Sequence, residues 1–196
     1  MADRGFATEP ASWESIRAYA NDQAAEAAAG RGPKRTVEIE ERYSRYKRWC
    51  EARGHTGVEL VLATAAWQRL EMGSHRVALE FNIVPYHLPD GVEHWVLWYH
   101  PDDTSPKTDE LQRDKCEADA NECFGGTLVI GDELIAFQNL PEFRSVPEVA
   151  HAHVFLRPRD EANASTLARL RRDRCLRSPW AENERLGGRG HEIGFV

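Results

Sequence analysis

Apolar and polar positions divide the chain into two regimes. Up to about residue 66 the apolar residues recur at helical spacing. Over residues 10–29, Trp13, Ile16 and Ala20 share one helix face. The alanine-rich tail favours the same conformation until Gly30-Arg-Gly-Pro33 stops it. Residues 31–35 read as a connector. A second helix is predicted over about 36–52, where Ile39, Tyr43, Tyr46 and Cys50 fall at i, i+4, i+7 and i+11 and Gly54 follows. Thr56-x-x-Glu59 is a capping box that opens a short third helix through about Ala66. These helices form an N-terminal layer in which Trp67 is a packing anchor and no group stands out as chemical.

From residue 76 the apolar pattern is that of strands. Val77–Val84 is closed by Pro85, and Leu88-Pro-Asp-Gly91 is a turn before the aromatic and branched run Glu93–Tyr99. Trp98 shares the strand face of His94, and Trp95 points the other way. A loop over 101–106 leads to a polar helix over about 107–123. Two strands, Thr127–Ile130 and Glu133–Gln138, are expected to meet at a Gly131-Asp132 hairpin. Ala150–Leu156 is the last strand, 160–175 a final helix, and 187–196 a glycine-rich tail. Short turns between strands imply antiparallel pairing. The expected fold class is α+β: an antiparallel sheet of about five strands with an N-terminal helical layer. The expected organisation is a helical segment (1–68), an α+β core (69–160) and a C-terminal helix with tail (161–196), together one compact domain.

Composition narrows the function. The chain has 196 residues, 41% hydrophobic and 29% charged, with a formal net charge of -7. Duplex nucleic acid is thereby disfavoured as the main partner, since such binding neutralises phosphates with Lys and Arg. The basic cluster Arg169–Arg174 reads as an exposed helix face, or as a holder of one small phosphate. No apolar run approaches the ~20 residues that span a bilayer, and the N-terminus lacks an apolar signal segment. Cys50, Cys116, Cys123 and Cys175 form no C-x-x-C pair and read as reduced thiols of an intracellular, cytoplasmic protein. Cys116 and Cys123 with His151 and His153 match no standard zinc spacing. No metal or cofactor is expected.

The candidate chemistry lies in HAHVFLRPR, residues 151–159. On a strand, His151 and His153 point to one face. Asn82, His94 and Gln138 also interrupt apolar strand positions, and buried polar groups need partners or a cleft. A neutral imidazole is a competent nucleophile toward phosphorus, and a second imidazole, a glutamine or a serine can hold the phosphoryl oxygens. Gln138, Ser145, His151 and His153 supply those parts.

Residues 77–159 resemble the histidine-triad (HIT) superfamily of nucleotide hydrolases and transferases. The resemblance is carried by ALEFN (78–82), EHWVLW (93–98), TLVIGDELIAFQN (127–139), RSVPEV (144–149) and HAHVFLRPR. It implies that His151 matches the nucleophilic histidine and His153 the last of the triad. It implies that His94, Asn82, Gln138 and Ser145 contact the ligand. Arg157, on the residues alone, is either a further charge for that ligand or a solvated cation at the strand end. The first triad histidine is Val149 here. In the related hexose-1-phosphate uridylyltransferases the second histidine of a pair attacks, so the roles of His151 and His153 stay interchangeable. A second resemblance, to the N-acetylglucosamine-induced protein family, a domain of unknown function, covers about 36–158. Its motifs are ERYSRYKRWCEARGHTGVELVLATAAW (41–67), PYHLPDGVEHWVLW (85–98) and FQNLPEFRSVPEVAHAHVFLR (137–157).

The expected function is a hydrolase or transferase acting on a small-molecule nucleotide or sugar-nucleotide phosphate, with room for a homodimer. Two alternatives stand beside it. One is a non-catalytic sugar-phosphate or nucleotide-binding, structural or interaction protein. The other is a metal site at His94, His151 and His153.

Overall fold

Side-chain caps set the helix starts. The computed structural model describes residues 5–65, 67–71, 76–101 and 111–175. Ser12 caps α1 (Trp13–Asn21), its hydroxyl accepting from the Ser15 N–H at 3.1 Å. The single helix expected over 10–29 is broken at Asp22. That residue leaves helical geometry at φ −148°, ψ 79°, and its carboxylate accepts from the Ala25 N–H to open α2 (Gln23–Ala28). A local cap outcompetes alanine propensity. Thr36 caps α3 (Val37–Ala52). The capping box forms as expected at α4 (Gly57–Thr64): the Thr56 hydroxyl accepts from Glu59 N–H, and the Glu59 carboxylate accepts from Thr56 N–H.

The sheet contains β1 (Gln68–Arg69), β2 (Arg76–Phe81), β3 (Glu93–Tyr99), β4 (Leu134–Phe137) and β5 (His151–Leu156). Their order is β1-β2-β3-β5-β4 with every pair antiparallel. The fold class is therefore α+β with a five-stranded antiparallel sheet. α5 (Arg113–Cys123) links β3 to β4, and α6 (Glu161–Cys175) follows β5. Positions 107–110 of the expected helix, most of the 101–106 loop and the 187–196 tail lie outside the described residues.

One expected strand is absent. Residues 127–133 form turns with a single bridge from Ile130 to Leu134, not a strand and hairpin. The buried Glu133 carboxylate accepts from Val129 N–H at 2.9 Å and from Arg159 N–H at 3.1 Å. It takes the Val129 donor that a ladder would have used. The two-residue β1, which the pattern did not suggest, is the fifth strand.

Register fixes what each face carries. Val96 pairs with His153, Trp98 with His151, and His94 with Phe155. One face presents Trp95, Leu97, Tyr99, Ala152, Val154 and Leu156 to α5 and α6, where Cys116, Ala120, Phe124 and Leu167 complete a core. Trp95 meets Phe81 and Phe124 edge-on, both at 5.5 Å between centroids. Beneath α5 the Tyr99 hydroxyl donates to Asp119 at 2.9 Å, and Lys115 pairs with the same carboxylate at 2.8 Å. The other face carries His94, Val96, Trp98, His151, His153 and Phe155. α1 covers one end of it, packing Trp13, Ile16 and Tyr19 against Ile135, Phe137 and Phe155. α3 and α4 stand over the rest.

Candidate functional site

Between α3, α4 and that second face lies a cleft of about 330 Å³. Its floor is Val96, Trp98, His151 and His153. Its walls include Tyr43, Tyr46 and Lys47 of α3, and Ser145 and Val146 of the loop before β5. Gly57 lets α4 approach that loop: a Cβ placed there would sit 2.9 Å from Val146 Cγ2.

His151 and His153 stand on one face because they are two apart on β5, with ring centroids 6.0 Å apart. They are held differently. His151 Nδ1 lies 2.7 Å from the Val149 carbonyl oxygen. A carbonyl only accepts, so Nδ1 bears the proton and a neutral ring keeps its lone pair on Nε2. Nε2 takes no hydrogen-bond partner among the described residues, and His151 lines the cleft. Burial holds the His151 pKa below the ordinary imidazole value. The Val149 hydrogen bond opposes this, and the nearby Arg144 charge adds to it. The Trp98 ring lies 4.7 Å away.

His153 has both nitrogens engaged. The Tyr86 N–H donates to His94 Nδ1 at 3.1 Å, so neutral His94 carries its proton on Nε2. That proton points at His153 Nδ1, 2.8 Å away. His153 must then be protonated on Nε2, which lies 2.7 Å from the Asn139 amide. As placed, Asn139 turns Nδ2 toward His153 and the Tyr86 hydroxyl, while Oδ1 is buried with no hydrogen-bond partner. Turning the amide end for end puts Oδ1 within reach of His153 Nε2–H and the Tyr86 hydroxyl, and turns Nδ2 to the side where the oxygen had no partner. The result is a directed chain from Tyr86 N–H through His94 and His153 to Asn139. Burial holds His94 far below its ordinary pKa, with the Arg35 charge adding to the effect. Protonating Nδ1 would also set two N–H groups against each other at the Tyr86 contact.

The structure therefore brings His94, His151, His153 and Asn82 together on one face. Asn82 lines the cleft, accepts from Val84 N–H at 2.9 Å and packs beside the His94 ring. His94 is 1% exposed and sits behind His153, outside the cleft lining. Ser145 lines the cleft and hydrogen-bonds Tyr43.

Two expected ligand contacts lie elsewhere. Gln138 is turned away, with Oε1 accepting from Arg144 at 3.2 Å and its carbonyl accepting from Gln23. The strand period puts Phe137, opposite His153, and then Asn139 on the cleft side. Arg157 lies six residues beyond His151, about 20 Å along the strand direction. Its guanidinium sits 4.7 Å from the Trp13 ring centroid. Sequence reasoning missed Arg35, Tyr43, Lys47, Tyr86 and Asn139. The helical layer, read as chemically silent, supplies one wall of the cleft.

Cys116 lies in the core on the opposite face from His151 and His153. Among the described residues no group of three His, Cys, Asp or Glu is arranged to hold a metal ion. Cys50, Cys116 and Cys123 are free thiols. Among the described residues no helix is long and apolar enough to cross a membrane.

Fold and site define an α+β protein whose sheet carries a histidine-floored cleft under a helical wall. The chain belongs to a family described as protein of unknown function (DUF3605), whose pattern matches residues 12–157. It is similar to a solved structure, the crystal structure of HTC1, at 20% identity over 86% of this chain and 97% of that one, with a TM-score of 0.45. No curated protein matches it.

Proposed function

We propose that the cleft binds a nucleotide or sugar-nucleotide phosphate, and that His151 is the nucleophile of a HIT-like hydrolase or transferase. One observation carries this reading. His151 is fixed by the Val149 carbonyl with Nε2 unprotonated, on the floor of a cleft large enough for a phosphate ester. The orienting acceptor is main chain, so valine at position 149 supplies it as well as histidine. The same geometry favours His151 over His153 as the attacking ring, because both His153 nitrogens are committed to His94 and Asn139.

The steps balance without an external oxidant or metal. His151 Nε2 attacks phosphorus, an N–P bond forms, and the P–O bond to the leaving group breaks with its electron pair on the departing oxygen. A departing phosphate needs no proton. Water or a second phosphate then attacks phosphorus, the N–P bond breaks, the lone pair returns to Nε2, and a water proton leaves to solvent. The hydrogen-bonded His94–His153–Asn139 chain positions the floor. The resemblances of 77–159 to the histidine-triad superfamily and of about 36–158 to the N-acetylglucosamine-induced family support the reading. On this reading the partner is a small-molecule phosphate, and the free thiols Cys50, Cys116 and Cys123 support a cytoplasmic location.

The test is turnover of nucleoside diphosphates, UDP-sugars and an adenosine phosphoramidate by the full chain and by His151→Ala and His151→Asn. Asparagine keeps a donor for Val149 but no nucleophile. Turnover by the wild type lost in both variants is expected. Thermal stabilisation by these ligands without turnover would replace the reading with a non-catalytic binding protein.

A further inference from the structure

The proposed chemistry leaves one wall of the cleft unused. Arg35 and Lys47 both line it, each 4.7 Å from the centroid of the Tyr43 ring. The ring is itself fixed: Tyr43 is buried, and Ser145 bonds its hydroxyl. Arg35 is anchored by Nε donating to the Val84 carbonyl at 2.9 Å and by Nη1 facing Glu40 at 3.3 Å. Its Nη2 has no acceptor among the described residues. Lys47 has no carboxylate partner among the described residues, although Glu51 lies one turn further along α3.

Two like charges held around one ring repel each other. Their convergence is unexpected in a chain whose 32 acidic residues outnumber its 25 Lys and Arg. Both line one cleft, so an anion bound there is drawn to both charges, and a phosphate offers the acceptors that both donors lack. The two carboxylates that also reach the cleft are Glu51 at its exposed rim and Glu80 on β2. Both can accept from hydroxyls such as those of a sugar.

We propose that Arg35 and Lys47 form a second anion subsite that holds the departing phosphate of a diphosphate while His151 faces the other phosphorus. The assignment of a departing group rests on the His151 reading; the preference for a diphosphate over a monophosphate does not. The substrate class is thereby narrowed to nucleoside diphosphates and diphosphate-linked sugars.

Calorimetry of the full chain with inorganic pyrophosphate and inorganic phosphate tests this. The wild type is expected to bind pyrophosphate at least about tenfold more tightly than phosphate, a charge-assisted hydrogen bond's worth. Lys47→Gln should erase the preference, and Lys47→Arg and His151→Ala should keep it. Arg35 also braces Val84 and its substitution endangers folding, so Lys47 carries the test, with melting temperatures compared. In turnover, Lys47→Gln should raise KM for a nucleoside diphosphate and leave it unchanged for adenosine phosphoramidate, whose leaving group is ammonia. Equal affinity for the two anions, or a preference unchanged in Lys47→Gln, overturns the subsite. A pyrophosphate preference without turnover leaves the subsite standing and removes only the catalytic reading.

Discussion

Acidification should destabilise this fold well above the pH at which carboxylates titrate. His94 and His151 are both buried, and both are held below the ordinary imidazole value, chiefly by burial. In the unfolded chain each returns to about 6.5. Between that value and the depressed folded one, the unfolded chain binds more protons than the folded chain. Stability therefore rises with pH through this window, is fully present above it, and is lost as pH falls. Each proton contributes about 1.4 kcal/mol per pH unit, so the two imidazoles together give a limiting slope of about 2.7 kcal/mol per unit. His94 holds the firmer half, because a protonated Nδ1 would face the Tyr86 N–H donor 3.1 Å away. Urea unfolding followed by tryptophan fluorescence at pH 7.5, 6.5, 6.0 and 5.5 reads the slope as a falling midpoint, roughly 1 M per pH unit. His94→Gln offers Tyr86 an acceptor that does not titrate, and His151→Asn keeps a donor for Val149. Each should remove about one proton's share of the slope. A midpoint that stays flat from pH 7.5 to 5.5, or a slope unaltered in both variants, would refute the reasoning.

Further outcomes follow from other parts of the structure. Gly32 sits at φ 129° with a would-be Cβ only 2.6 Å from the buried Tyr19 ring. Gly32→Ala should therefore cost about 2 kcal/mol or more, read as a lowered melting temperature. Tyr99→Phe leaves Asp119 without its buried donor. The change should cost about 1–3 kcal/mol in urea unfolding. It lies on the opposite sheet face, so pyrophosphate binding should not change.

Most of the elements were legible because they rest on local signals: the Thr56 capping box, the aromatic run of β3 and the alternation of β5. The same period of two correctly set Trp98 beside His94 and Trp95 against it, and it brought His94, His151 and His153 to one face. Sequence reasoning failed where a side chain competed with the backbone pattern. Asp22 split a helix that alanines favoured, and the Glu133 carboxylate replaced a strand at 127–130. At the site, sequence reasoning picks Gln138, whereas parity from the Phe137–His153 pair puts Asn139 on the histidine face. That pairing is non-local, and no single segment announces it. The wall of Arg35, Tyr43 and Lys47 was hidden for a similar reason. A Tyr and a Lys on an amphipathic helix look like core and surface until the helix is seen to stand over a cleft.

The central claim is that a neutral His151 presents Nε2 to a phosphorus atom. Rapid acid-free quenching during turnover of a nucleoside diphosphate, followed by peptide mass spectrometry, tests it most directly. A nucleotidyl adduct on His151, absent from His151→Asn, is the predicted result. Undiminished turnover with no adduct, or an adduct carried by His153, would contradict it.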